Sequence, residues 1–441
     1  MVFEKLAASR KVFGIHALLT LAIVLFPWAF AQKPVEVIFL TFIFLMVPFG
    51  MLLWATLFPA LVRGNKNDLA GFPLLDYVSK VMSFLVGGLF FISGFVKLQD
   101  IKGFSYKLIE YWGKFGDIWE VFDADFFVDY SPHMAWFISV FEVAIAFALI
   151  FAFRMRITSF LLLLMILFFT ALTGFSAISG KVQDCGCFGE AMKLTPWQTF
   201  YKDILLTIVI LPMVLLSRKI KPLFPGMLPG VLAFGSFILF GLFSIYTAMY
   251  LPVIDFLPYK VGANMLQATI HGPWLPKGEE PKAHDYPYQC LNYPPVDTFP
   301  GGFSSCCNRP DCNPGYIGGI SYGCDSIPLN EFNGNVLLIV IRDIAEAPED
   351  AVLKSIELAN SLTGSGIRIY APTSTGKSGI PEWQAKYKFP YCLATEMIDE
   401  TVLKTMVRSP LGYILMKNGI ILGKWAYRSA PDKDEVMDLL Q

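Results

Sequence analysis

Residues 157–178 read ITSFLLLLMILFFTALTGFSAI, an apolar stretch with no charged side chain. A helix of about 20 such residues is long enough to cross the hydrocarbon core of a bilayer, which is about 30 Å thick. Backbone N–H and C=O groups cannot stay unpaired in lipid, so a stretch of this kind predicts a transmembrane helix. It places the chain among integral membrane proteins.

The composition of the whole chain supports this assignment. Of 441 residues, 55% are hydrophobic and 16% are charged, whereas soluble domains carry about 25% charged residues. The formal net charge of −1 argues against nucleic acid as a partner, because surfaces that bind nucleic acid are strongly basic. The lipid bilayer is therefore the first partner that the sequence predicts.

Further apolar stretches predict a multi-pass α-helical membrane bundle of about seven spans. The predicted spans are 12–31, 35–62, 80–98, 133–153, 157–178, 199–216 and 230–251. Residues 28–32, WAFAQ, also resemble a signal-peptide cleavage site, and cleavage there would remove only the first span. We favour a retained helical hairpin, since the second span begins within a few residues of this site.

The loops between the predicted spans differ in charge. Basic residues occur at 5–11, 63–80, 154–156 and 218–221, whereas the loop at 99–132 carries most of the acidic residues. Loops rich in lysine and arginine stay on the cytoplasmic side of a membrane. We therefore expect a cytoplasmic N-terminus, with the loop after 178 and the residues after 251 on the outer side.

Two thiols lie in that outer loop, within the motif Cys185-Gly186-Cys187-Phe188-Gly189. Cysteine pairs in oxidising compartments tend to form disulfides. A disulfide across a single glycine closes a very small ring outside the relaxed geometry, so it should be strained and easily reduced. The motif predicts a catalytic thiol pair, Cys185 and Cys187, with a structural disulfide as the alternative.

Three charged residues near this loop are further candidates for the catalytic site. Glu142 lies inside the 133–153 span, where a carboxylate is costly, so it indicates either a proton relay or a structural polar contact. It is expected to be protonated or paired with Lys97, which otherwise extends to the interface. Lys202 begins the 199–216 span and either anchors it at the interface or lowers the pKa of a thiol.

The other cysteines fall after the last predicted span, at Cys290, Cys306, Cys307, Cys312, Cys324 and Cys392. The segment around the first five is rich in Pro, Gly and Asn, which favours turns over regular elements. Disulfides are favoured here over a zinc site, because the spacing lacks a clear second ligand pair. We predict no metal, and the sequence does not resolve the disulfide pairing.

The C-terminal residues predict a small α/β domain. The expected order is a strand at 336–342, a helix at 348–362, a strand at 366–371, a helix at 381–387, a strand at 391–395 and a helix at 399–407. A hairpin around Asn418-Gly419 and a helix at 431–440 follow. This order resembles a thioredoxin-like fold, which implies a proline, usually cis, at Ser409-Pro410. The residues at 342–350, where that fold carries Cys-x-x-Cys, contain no cysteine.

The membrane part resembles the DoxX/MauE-type membrane proteins. The resemblance rests on residues 85–98, LVGGLFFISGFVKL, and 184–189, DCGCFG, and covers about 79–217 as a four-helix core. It implies a bacterial inner-membrane protein associated with periplasmic redox work, with a periplasmic protein partner. For DoxX relatives it implies quinone-linked sulfur oxidation, so a quinone is one candidate electron acceptor; the residues themselves identify no cofactor and do not determine the acceptor.

These observations divide the chain into five parts: a two-helix membrane hairpin at 1–78, the DoxX/MauE-like core at 79–217, a seventh span at 218–251, a Cys-rich segment at 252–330 and a thioredoxin-like domain at 331–441. Two functions fit them. One is a thiol–disulfide relay, or support of periplasmic disulfide and electron transfer, through the Cys-Gly-Cys loop. The alternative is a non-enzymatic envelope scaffold or assembly factor that binds a periplasmic protein. The sequence determines neither the partner nor the oligomeric state.

Overall fold

The computed structural model of the protein describes most of the predicted bundle core and C-terminal domain. The described residues are Met46, Gly50, 73–118, 123–182, 186–192, 194–218, 220, 222, 224, 226–265, 334–375, 379–388, 393–394 and 399–441. The chain divides into two compact units, Met1–Thr247 and Ala248–Gln441. The predicted span at 12–31 lies outside the described residues, and so does the span at 35–62 apart from two helical positions.

The first unit is helical. In chain order its helices are α1 (Pro73–Gln99), α2 (Ile101–Gly116), α3 (Ala124–Ile150), α4 (Met155–Ser179), α5 (Pro196–Leu216) and α6 (Leu228–Met249). Five of them, all but α2, are long and apolar enough to cross a membrane, with the candidate span of α1 beginning at Val78. They confirm a multi-pass helical membrane protein over the part of the chain that is described.

Side chains with hydrogen-bonding oxygens mark where these helices begin. Asp100 caps α2, Asp123 caps α3, and Thr195 forms a capping box with Gln198 at the start of α5. Helix α3 therefore starts nine residues before the predicted span at 133, and it runs through Pro132. The loop predicted at 99–132 is accordingly mostly helical, because α2 and the first turns of α3 occupy it.

Small residues bring α1 close to α3. A Cβ atom at Gly87 would lie 2.8 Å from Ile150 Cγ1, and one at Gly94 would lie 2.7 Å from Val143 Cγ2. Such contacts matter in lipid, where helices associate by close packing and not by a hydrophobic driving force. In the same unit, α2 also packs along α3, and α4 packs along α5.

The second unit contains a five-stranded mixed sheet. Its strands are β1 (Asn335–Ile341), β2 (Arg368–Pro372), β3 (Leu393–Ala394), β4 (Leu411–Lys417) and β5 (Ile420–Ala426), in the order β3-β2-β1-β4-β5. The first three strands are parallel, and β4 is antiparallel to both β1 and β5. Asn418 and Gly419 join β4 to β5 with φ values of 51° and 76°, as the predicted hairpin turn requires.

Helices cover the sheet. They are α7 (Glu349–Ser361), α8 (Ile380–Tyr387), α9 (Glu400–Met406) and α10 (Lys433–Leu440). Tyr413 on β4 is fully buried and shares a 2.8 Å hydrogen bond with the Ser355 hydroxyl on α7. Burial raises the pKa of the Tyr413 phenol, since its charged form would lose contact with water, and the bond to Ser355 offsets part of this rise.

The chain after α6 joins the sheet at its β5 edge. Gly262 N–H donates to the Ile421 carbonyl at 2.8 Å, and the Ile421 N–H donates to the Ala263 carbonyl at 3.0 Å. Both ends of the undescribed stretch 266–333 meet the β4–β5 turn. Met265 N–H donates to the Gly419 carbonyl at 2.7 Å. Gly334 N–H donates to the Asn418 side chain at 2.8 Å.

The cis proline that the thioredoxin-like resemblance implies is not found. No peptide bond among the described residues is cis, and Ser409–Pro410 is one of these bonds. The carbonyl of Pro410 accepts a hydrogen bond from the Arg342 N–H at 2.9 Å, which links the start of β4 to the end of β1. Residues 342–350, which directly follow β1, contain no cysteine, as the sequence already indicates.

Candidate functional site

The site begins on α1, where Ser93 and Lys97 are four residues apart and therefore lie on one face of the helix. The Lys97 ammonium donates to the Ser93 hydroxyl at 2.8 Å. It also lies 5.0 Å from the ring centre of Phe169 and 5.6 Å from that of Phe104. Cation–π contacts of this kind stabilise an ammonium away from water. The lysine does not extend to the interface; it is 1% exposed.

Glu142 on α3 is the counter-ion of this lysine. Its Oε2 atom lies 2.8 Å from Lys97 Nζ, and both side chains are 1% exposed. The sequence left open whether Glu142 is protonated or paired with Lys97. In the structure it is paired with Lys97. Gly94 lies beside it, since a Cβ atom there would be 3.4 Å from Glu142 Cγ. The close approach of α1 and α3 therefore brings the two charges together.

A second buried ion pair stands on α5. Lys202 Nζ lies 2.9 Å from Asp203 Oδ1, with the carboxylate almost fully buried and the lysine 11% exposed. The Thr173 hydroxyl on α4 donates to Asp203 Oδ2 at 3.0 Å. Asp203 is thus tied to two helices, and Lys202 turns inward instead of serving only as an interfacial anchor.

The loop between α4 and α5 carries the cysteine motif. Cys185 lies outside the described residues, whereas Cys187 is described and buried. The Cys187 carbonyl accepts a hydrogen bond from Ser93 Oγ at 3.1 Å. A chain of two hydrogen bonds therefore connects the Lys97 ammonium to the backbone of the motif. A short 3-10 helix, Gly189–Ala191, follows the motif.

Gly186 suits its position for two reasons. Its φ of +66° lies in the left-handed region, which side chains with a Cβ rarely adopt. A Cβ atom there would also lie 3.0 Å from Cγ of Lys107, whose side chain on α2 packs over the motif. The Lys107 ammonium pairs with Glu110 at 3.0 Å. The two cysteines are therefore separated by a residue that has both the required backbone freedom and the required lack of bulk.

One small cavity joins these groups. It is lined by Cys187, by both ion pairs and by Ser93, with apolar walls that include Leu89, Phe90, Ile166, Phe169, Phe188 and Leu206. Its volume of about 20 Å³ has room for about one water molecule. Helices α1, α3 and α5 and the loop after α4 thus place four charged side chains and a cysteine around a single interior space.

The predicted site residues therefore fall into two groups. Lys97, Glu142, Lys202 and Cys187 share the cavity, whereas Cys185 cannot be placed. Ser93, Thr173 and Asp203 also contribute to the site and were not predicted as members of it. Asp203 carried a usable signal, because it is a second carboxylate inside a predicted span.

The outer cysteines predicted to form disulfides, Cys290, Cys306, Cys307, Cys312 and Cys324, all lie outside the described residues. So does Cys392, for which a buried apolar position is favoured over pairing with one of these thiols. Within the described parts of the chain, no group of three or more His, Cys, Asp or Glu side chains is arranged to hold a metal ion. The disulfide prediction for this segment stays a prediction.

Comparison with known proteins agrees with the membrane part of this description. No curated protein and no solved structure matches the chain. The family of methylamine utilisation protein MauE matches residues 75–216, which include α1 to α5 and both ion pairs. This match supports a MauE-type membrane protein over that part of the chain.

Proposed function

We propose that the chain is an integral-membrane redox accessory protein, which exchanges thiols and disulfides with an external protein through Cys185 and Cys187. The MauE match supports a membrane-associated accessory role for residues 75–216. The observation that carries the exchange proposal is that Cys187 lines one cavity with Lys97–Glu142 and Lys202–Asp203. Charged groups of this kind adjust thiol reactivity and handle protons.

Energetics favour a functional reason for these ion pairs. Moving charges out of water costs several kcal/mol per ion, and the attraction within a buried pair often does no more than offset this cost. A well-packed apolar pair would hold a membrane bundle equally well. Two such pairs around one cysteine therefore support a functional site, in which the charged side chains take part in the chemistry.

The proposed exchange is balanced within the two proteins. With the Cys185–Cys187 disulfide formed, a thiolate of the partner attacks one sulfur, a mixed disulfide forms and the other cysteine leaves as thiolate. A second partner thiolate then attacks the mixed disulfide. The partner ends as a disulfide, and Cys185 and Cys187 end as thiols after taking up the two protons that the partner thiols released. Run in reverse, the same steps reduce a partner disulfide.

A quinone, the candidate acceptor from the family resemblance, does not fit the cavity described above. That cavity has room for about one water molecule, which is far less than a quinone ring needs. No step of the proposal therefore passes through a quinone, and a second protein disulfide can reoxidise the thiol pair.

The proposal includes a location and an orientation. The alternation of basic loops supports a cytoplasmic N-terminus in a bacterial inner membrane, with the Cys-Gly-Cys loop and the C-terminal domain in the periplasm. We further propose that the C-terminal domain is thioredoxin-like. Its three parallel strands followed by an antiparallel hairpin support this assignment, and so does the predicted element order. Without a Cys-x-x-Cys after β1, its role would be to bind the partner.

A scaffold without redox chemistry is the second candidate function. It is favoured by one observation, namely that residues 331–441 contain a single cysteine, Cys392. In that case the Cys-Gly-Cys disulfide would be structural, and the C-terminal domain would assemble or retain a periplasmic protein.

Trapping distinguishes the two functions. Cys185→Ser and Cys187→Ser variants are expressed in membranes, and mixed disulfides are sought by non-reducing electrophoresis, with the double variant as control. A relay gives a covalent adduct with one single variant that reductant removes and that the double variant lacks. A pair that stays oxidised under mild reductant, with no adduct from either variant, would show that the scaffold reading is correct.

A further inference from the structure

The Lys202–Asp203 pair has an unusual geometry for a helix. Side chains at adjacent positions point in different directions and do not normally meet. Here Lys202 Nζ lies 2.9 Å from Asp203 Oδ1, which is an ion-pair contact without hydrogen-bond geometry. The carboxylate itself is held from the other side by Thr173 on α4. The lysine therefore bends toward a carboxylate that is already fixed between two helices.

This bend places the ammonium beside the cysteine motif. Lys202 Nζ lies 5.1 Å from the ring centre of Phe188, which directly follows Cys187 and is itself buried. The ring face attracts the cation, so Asp203 and Phe188 hold the ammonium from two directions. Lys202 and Cys187 line the same cavity.

The other charged side chains around the motif contact it in different ways from Lys202. Lys97 reaches the loop only through Ser93, which binds the Cys187 carbonyl and so holds the backbone. Its charge is matched by Glu142 at 2.8 Å. On α2, Lys107 packs over Gly186 but directs its ammonium to Glu110. Glu190 lies on the 3-10 helix after the motif, partly exposed.

From this arrangement we propose that Asp203 is a positioning residue, which holds the Lys202 ammonium at the cavity that Cys187 lines and thereby favours the thiolate form of Cys187. The inference rests on the proposed function for its purpose, but its chemistry is measurable without a partner. An ammonium beside a thiol lowers the energy of the thiolate, which is the nucleophile in exchange. Lys97, by contrast, serves to hold the loop in place.

The pH profile of alkylation tests this proposal. Reduced full-length protein in detergent is treated with iodoacetamide over a range of pH. The fraction alkylated at Cys187 is then measured by mass spectrometry in tryptic peptide 182–193, which contains both motif cysteines. Lys202→Gln should raise the pH midpoint by about one unit, which lowers the alkylation rate at pH 7 about tenfold. Lys114→Gln, which removes an exposed ammonium from α2, should leave the midpoint unchanged and serves as the matched control.

The direction in which Asp203→Asn moves the pH midpoint of alkylation decides whether Asp203 positions Lys202. If Asp203 acted only as a negative charge, its removal would favour the thiolate and lower the midpoint. If it positions Lys202, the ammonium leaves the motif and the midpoint rises, while Asp203→Glu restores it in part. A midpoint that falls or does not move overturns the proposal. Should Asp203→Asn not fold, Thr173→Val keeps both charges and releases the carboxylate, so it must raise the midpoint for the proposal to stand.

The trapping experiment tests the relay, and the pH profile tests the role of Asp203, so either proposal can be refuted without the other. A shifted midpoint without a trapped partner would leave the role of Asp203 intact and refute the relay. A trapped partner with an unshifted midpoint would leave the relay intact and refute the role of Asp203.

Discussion

Replacing Glu142 by Met breaks the most deeply buried ion pair in the described bundle and leaves the Lys97 ammonium without its counter-ion. The two charges are 2.8 Å apart and both side chains are 1% exposed, so bulk water does not reach the ammonium when the carboxylate is removed. Ser93 still accepts one hydrogen bond from Lys97, but it carries no charge. We expect a strong loss of stability in this variant.

The magnitude follows from the loss of one partner of a buried ion pair, which costs about 3–5 kcal/mol. This is a large share of the total for a domain whose stability is about 5–15 kcal/mol.

The double variant Lys97→Met, Glu142→Met should recover most of this loss, since apolar replacement of a whole buried pair is neutral or stabilising. The free energy of unfolding is measured by reversible denaturation in mixed micelles. Asp117→Asn, in the exposed pair with Lys114, is the control and should cost less than about 1 kcal/mol. The reasoning is refuted if Glu142→Met costs less than about 1 kcal/mol, or if the double variant is no more stable than the single one.

Three further predictions concern other parts of the chain. Gly186→Ala forces a Cβ atom into a left-handed position against Lys107, so we expect a loss of about 1–2 kcal/mol and faster alkylation of the motif by iodoacetamide. Tyr413→Phe removes a buried hydrogen bond to Ser355 and should cost about 0.5–1.5 kcal/mol in denaturant unfolding at pH 7. The raised pKa of Tyr413 means that the fold favours the neutral phenol, so the wild type should lose stability as the pH rises above about 10, and the variant should lose less. Replacing 266–333 by a short Gly-Ser linker should leave the thermal unfolding of the C-terminal domain nearly unchanged, because both ends of that stretch pair with the β4–β5 turn. A fall of more than about 10 °C would show that the stretch stabilises the sheet, since about 1 kcal/mol shifts the midpoint of a domain this size by about 4–8 °C.

Features that depend on neighbouring residues could be predicted closely. The helix α4 at Met155–Ser179 follows the apolar stretch 157–178, and the hairpin turns at Asn418-Gly419 as expected. The start of α3 could not be predicted from hydrophobicity, because its first turns contain Asp125, Asp129 and Pro132 and begin at the Asp123 cap. Of the strand predicted at 391–395, the structure describes Leu393–Ala394, and these two residues form β3.

The candidate site was predicted only in part, because its members are distant in sequence. Glu142 was identified as a costly charge, and its pairing with Lys97 was one of two alternatives, whereas Lys97 itself was expected to extend to the interface. The bond between Thr173 and Asp203 crosses two helices, and nothing in the local sequence of either residue indicates it. The hydrogen bond from Ser93 to Cys187 spans 94 positions.

The sequence by itself determined that this protein spans a membrane and that it carries a Cys-Gly-Cys motif and a separate α/β domain, because length, apolar periodicity and turn residues act over a few positions. Only the tertiary structure decided that Lys97–Glu142, Lys202–Asp203 and Cys187 surround one cavity. That arrangement depends on how closely α1 approaches α3 and α4 approaches α5. Such distances are set by the packing of whole helix faces, which no local pattern encodes.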